Sequence, residues 1–185
     1  MRSWFLLLAL LLPWAGAAQT YKAPSYPVLV FHSAGSVSGG ASTGEQNLAT
    51  VPIPANVLGA GGQIRLSFGY LNNNNANTKT FTIRLNTTAG AVTGGFAAMS
   101  VSNTTNTTYT GVLFINNTAT NVQQSTNATG TVGAAANTPA AGSIDTTAAT
   151  FVNFNGNKVT DGADTITLTW WHVEVVRSGT SYFGG

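Results

Sequence analysis

Apolar residues along this chain recur at every second position. In "QIRLSFGYL" they place Ile64, Leu66, Phe68 and Tyr70 on one face, and in "KTFTIRLN" Phe81, Ile83 and Leu85 alternate with Thr80, Thr82 and Arg84. A period of two marks a half-buried strand. "NLATVPI", "GGFAAMSVS", "TTYTGVLFI", "TNVQQST", "ATFVNFN" and "DTITLTWWHVEVV" read as further strands, with a short apolar stretch, Val28 to Phe31, ahead of them. No helical periodicity of useful length follows the N-terminal region. The asparagine run Asn72 to Asn77 reads as the loop of a hairpin joining the first two strands quoted, because asparagine tolerates left-handed backbone. Asp161-Gly162 marks a tight turn, and the Ala/Gly/Thr-rich residues from Thr126 to Ser143 read as one long loop. About eight strands without helices predict an all-β fold, an antiparallel jelly-roll-like β-sandwich.

The last strand changes phase. Ile166, Leu168 and Trp170 share one face, whereas beyond Trp171 the apolar positions are Val173 and Val175. A β-bulge at the tryptophans accounts for the shift, since an extra residue on one strand exchanges its faces. On this reading Trp170 belongs to the core and Trp171 to a subunit interface. His172 and Glu174 are then polar residues turned away from the second packing surface.

The chain begins with Arg2, an apolar run from Trp4 to Leu12, and small residues up to Ala18. That order predicts a cleavable signal peptide over residues 1–18, too short an apolar run to span a bilayer. An arm with a Ser/Gly-rich loop is expected over 19–44, the sandwich over 45–178 and a short tail over 179–185. The chain has no cysteine, so export brings no disulfides. Charged residues make up 6% of the chain, against about 25% in typical globular proteins. So neutral a surface, rich in Asn, Thr and Ser, excludes a nucleic-acid footprint. It suits contact with carbohydrate or between identical subunits.

Chemistry-bearing residues are few. His172 and Glu174 lie i, i+2 on one strand and make a partial metal constellation, but the other histidine, His32, falls in the arm. Asp161 and Asp164 flank a turn without the further oxygen ligands that a calcium loop needs. Neither set is assigned a metal, and no cofactor is expected. Nucleophile elbows and phosphate loops are absent, "GAGG" at 59–62 is turn chemistry, and five sequons (Asn86, Asn103, Asn106, Asn116, Asn127) are about the number chance supplies in a chain this rich in Asn and Thr. An enzyme is therefore not expected. Thr165, Thr167 and Thr169 form a threonine row without the repeat that would extend it. The large aromatics remain: Trp170, Trp171, Tyr70, Tyr109 and Phe114 belong to the core or, for some, to a binding or interface surface.

The order of "HSAGSVSGG", the I-P-A-N-x-L-G-x-x-G run, the N-N-x-N-x-K-T loop and the closing D-T-I-T-L strand resembles small β-sandwich proteins of tailed bacteriophages and prophages, of the tail, fibre or head-appendage type. The resemblance implies a jelly-roll-like domain, often trimeric, on a virion surface, and no catalytic residues. A signal peptide departs from that pattern. The expected function is thus a non-enzymatic structural or binding protein, self-associating as a trimer and touching a cell-surface glycan or a neighbouring virion protein. A secreted adhesin or lectin-like protein is the alternative, and an eight-stranded outer-membrane barrel fits less well because threonines would meet lipid.

Overall fold

The computed structural model describes residues 27–40, 43–73, 75–104, 108–128, 140–158 and 164–177. The expected signal peptide, the expected Asp161-Gly162 turn and the expected C-terminal tail lie outside the described residues, as does most of the segment read as a long Ala/Gly/Thr loop. Eleven strands form among the described residues: β1 (Pro27–Ser33), β2 (Val37–Ser38), β3 (Gly44–Ile53), β4 (Gly62–Asn72), β5 (Lys79–Asn86), β6 (Phe96–Asn103), β7 (Thr108–Ala119), β8 (Val122–Ala128), β9 (Ala141–Gly142), β10 (Thr150–Lys158) and β11 (Ile166–Val176). A seven-stranded sheet has the order β1-β11-β4-β7-β8-β9 with β2 also on β11, and a four-stranded sheet has the order β3-β10-β5-β6. All pairings are antiparallel. The protein is an all-β antiparallel sandwich, jelly-roll-like in architecture.

Each expected strand forms, and the extra elements are short: β2 and β9 have two residues each. One expectation fails. β4 and β5 are not a hairpin, because β4 pairs with β11 and β7 while β5 pairs with β10 and β6. Their apolar faces meet each other across the core instead of lying side by side, so the asparagine loop is a corner between sheets. Alternation cannot separate these two outcomes, since both bury the same residues.

Ile64, Leu66, Phe68 and Tyr70 from one sheet face Phe81, Ile83, Leu85, Val152 and Phe154 from the other. A chain of aromatic contacts crosses this core twice. Tyr109 stacks on Tyr70 at 4.8 Å, Tyr70 on Phe81 at 4.2 Å, and Phe81 meets Phe154 at 6.4 Å, which stacks on Trp171 at 5.8 Å.

The turn reading of residues 59–62 agrees with the backbone. Gly59 and Gly61 take φ of 59° and 75°, the left-handed region where glycine alone is unstrained. Asn117, buried, donates to the Gly59 carbonyl at 2.6 Å, and Gln123 donates to Asn117 Oδ1 at 2.6 Å, so buried amides tie down that end of the sandwich. On the outer face of the smaller sheet, Asn153 and Asn155 donate to the carbonyls of Thr88 and Ala91, holding the 87–95 loop across the strands.

Candidate binding face

The bulge expected in the last strand is present. Leu168 pairs with Tyr70 and Trp170 with Gly69, so two steps on β11 match one on β4 and Thr169 is the extra residue. Beyond it Trp171, Val173 and Val175 stand opposite Phe68, Leu66 and Ile64 of the core, while Trp170, His172 and Glu174 stand opposite Gly69, Ser67 and Arg65 on the outer face. The roles assigned to the two tryptophans are therefore exchanged: Trp171 packs on the core and Trp170 faces outward. The phase change was legible in the sequence, but the extra residue is Thr169 rather than a tryptophan.

Gly69 explains how Trp170 sits. A Cβ on residue 69 would lie 2.3 Å from Trp170 Nε1 and 2.9 Å from Cδ1 and Cε2, so the pyrrole ring rests directly on the strand where a side chain is missing. A glycine inside a strand signals such a close approach, and this one stands between the core residues Phe68 and Tyr70.

Hydrogen-bonding groups flank the indole. Ser67 lies beside His172, and Thr110 of β7 pairs with Gly69 from the other side. His172 Nε2 and Glu174 Oε1 are 3.2 Å apart and partly exposed. Arg65 donates through Nε to Gln63 at 2.6 Å, and its other guanidinium N–H groups have no protein partner among the described residues. Val112 and Val30 add apolar surface at 38% and 50% exposure, and Phe114, opposite Arg65, is half-buried. The face thus combines one seated aromatic ring with donors and acceptors of both kinds.

His32 is not remote from this face. It pairs in register with His172 across β1 and β11, so both histidines of the chain stand side by side. Even so, among the described residues no three His, Cys, Asp or Glu side chains converge as a metal site. Tyr70 and Tyr109, expected as binding or interface candidates, are buried in the core. Burial pushes the Tyr70 phenol well above its ordinary range, and the neighbouring Tyr109 adds to this. Asp161 lies outside the described residues. Asp164 is 1% exposed at the opposite, asparagine-rich end of the molecule's long strands, where it accepts from Asn75 and Asn77. Those bonds, Asn75 first, hold its carboxyl below the usual carboxylate range. Of the sequons, Asn86 is buried with its amide donating to Thr93, so no glycan fits there. The threonine row is broken by the bulge, and Thr167 bonds Ser38 of β2 at 2.7 Å.

The two shifts set a pH dependence. Asp164 has a lowered folded-state pKa, so its contribution is present above the unfolded value near 4 and is lost as pH falls through the folded one. Tyr70 has a raised one, so its contribution is present below about 10 and is lost as pH rises beyond it. Denaturant midpoints are expected to be flat near neutrality and to drop at both extremes. Asp164→Asn should flatten the acid limb, and Tyr70→Phe the alkaline limb; an unaltered profile in either variant contradicts its assignment.

No family model and no curated protein matches the chain. Among solved structures, lectin II from Ulex europaeus is similar at 10% identity and TM-score 0.39, covering 81% of this chain and 99% of its own. A Bauhinia forficata lectin in complex with GalNAc gives 8%, 0.41, 82% and 99%, and a protein of unknown function from Shewanella oneidensis MR-1 gives 9%, 0.39, 86% and 78%. At these identities and TM-scores the likeness carries no residue and no ligand over to this chain.

Proposed function

We propose that this is a non-enzymatic binding protein that takes neutral carbohydrate on the outer face of its seven-stranded sheet. The observation that carries the reading is Trp170 seated on Gly69, with Ser67, Thr110 and His172 at neighbouring positions and Arg65 and Glu174 further along the same face. A sugar ring presents an apolar C–H face and a rim of hydroxyls. An indole fixed flat against a strand meets the first, and mixed donors and acceptors meet the second. The scarcity of charge suits an uncharged ligand. Among the described carboxylates each has its own partner: Glu45 with Arg84, Glu174 with His172, Asp145 with Thr147 and Asp164 with Asn75. That arrangement supports binding over hydrolysis, which needs two carboxyls facing one bond.

A single shallow face binds weakly, so self-association, as a trimer, supplies avidity. The sequence resemblance to virion appendages bears on where the face is displayed: on a particle or as a secreted adhesin. A glycan array on the purified protein is expected to give a limited set of neutral glycans, and Trp170→Ala should weaken the best of them at least tenfold. An array without binders, or a Trp170→Ala variant that binds unchanged, would overturn the reading. If light scattering instead shows that Trp170→Ala dissociates an oligomer, the face is a subunit contact.

A further inference from the structure

The end of the sandwich remote from the turn at 59–62 buries charge that the binding face does not use. Lys79 is in phase with Phe81, Ile83 and Leu85 on β5, and Lys158 with Val152 and Phe154 on β10, so both point into the sandwich. They are register partners on adjacent strands, at 0% and 1% exposure. Two buried lysines on paired positions are unfavourable, through the desolvation of each ammonium group and through the repulsion of like charges on neighbouring strands. Among the described residues, Lys79 donates to Asn75 Oδ1 and Lys158 to the Gly40 carbonyl.

The surroundings of Lys79 are those of a reacting pair. Its Nζ is 2.5 Å from the side-chain oxygen of Asn75. The amide nitrogen of Asn75 donates to Asp164 Oδ1, and Asp164 Oδ2 is buried without a hydrogen-bond partner among the described residues. Amine, carboxamide and carboxylate thus stand in a row, with the carboxylate at the nitrogen that would leave. Holding reactants in contact raises effective concentration to about 10⁵ M or more.

We propose that Lys79 and Asn75 join in an intramolecular isopeptide bond, formed by the chain itself with Asp164 carrying the proton. Asp164 takes a proton from the Lys79 ammonium. Nζ then attacks Cγ of Asn75, a C–N bond forms, and the C–Nδ2 bond breaks as Asp164 delivers the proton to Nδ2. Ammonia leaves, the new amide nitrogen gives up its second proton through Asp164 to that ammonia and keeps one N–H, so that Lys–NH₃⁺ and Asn–CONH₂ become a secondary amide and NH₄⁺. No oxidant or cofactor is required. The product replaces one of two adjacent buried charges by a neutral amide and locks the corner between β4 and β5. A chain without cysteine gains by this route the covalent tie that disulfides supply elsewhere.

Trypsin digestion of the denatured native protein with mass analysis tests this. Cleavage after Arg65 and Arg84 is expected to release residues 66–84 as one peptide, uncut at Lys79 and lighter than its sequence mass by one ammonia. In Asp164→Asn and in Asn75→Ser, cleavage after Lys79 should return, with both fragments at full sequence mass. Recovery of 66–79 and 80–84 at full mass from the native protein would overturn the proposal. A cross-linked peptide persisting in Asp164→Asn would remove Asp164 from the proton transfer.

Discussion

Phe154→Ala is expected to destabilise the protein by about 3–5 kcal/mol, more than truncation of either adjacent tryptophan of β11. Phe154 is fully buried, and its ring contacts Phe81 on one side at 6.4 Å and Trp171 on the other at 5.8 Å. It therefore links the smaller sheet's strand β10 to β11 of the larger one, in the middle of the chain of rings. Truncation removes the transfer free energy of a large aromatic and leaves a cavity between two sheets that are each held by their own hydrogen bonds, which limits collapse. Phe154→Leu should recover more than half of the loss. Urea melts check both, and a Phe154→Ala loss below about 1 kcal/mol would mean that the sheets are not packed through this ring.

The adjacent tryptophans should separate cleanly. Trp171→Ala is expected to cost about 2–4 kcal/mol, because Trp171 stacks on Phe154 and packs against the core. Trp170→Ala should cost about 1 kcal/mol, because its indole covers only the outer surface of β4 at Gly69. Ligand binding should show the opposite ranking, with Trp170→Ala losing affinity and Trp171→Ala, where folded, retaining it. This reverses the assignment drawn from alternation, and the reason is local. The bulge sits at Thr169, one residue before the tryptophans, so both exchange faces relative to an unbroken strand. Equal effects of the two substitutions on stability and on binding would show that the bulge is misplaced.

Much of the site was visible as parts. The bulge and the polar His172-x-Glu174 pair follow from a change of phase, whereas which of the two tryptophans faces outward did not. Gly69 was present as a glycine between two core aromatics. Lys79 stood in phase with Phe81, a lysine at a core position. What these parts face could not be read in the same way. Arg65, Ser67 and Thr110 share one face with Trp170 only because β4 lies between β11 and β7. His32 meets His172 only because β1 pairs with β11.

The sequence by itself determined that the chain is all-β, where its longer strands run and, the two tryptophans of β11 apart, which residues those strands turn inward, because alternation is a local property that burial enforces residue by residue. Only the tertiary structure decided which strands are neighbours. Pairing partners are chosen by which faces close together across the core, so one inward pattern on β4 and β5 served equally for a hairpin and for a corner between sheets. The same choice brought Lys79 beside Lys158 and set Asp164 against Asn75, although Asp164 and Asn75 are 89 residues apart.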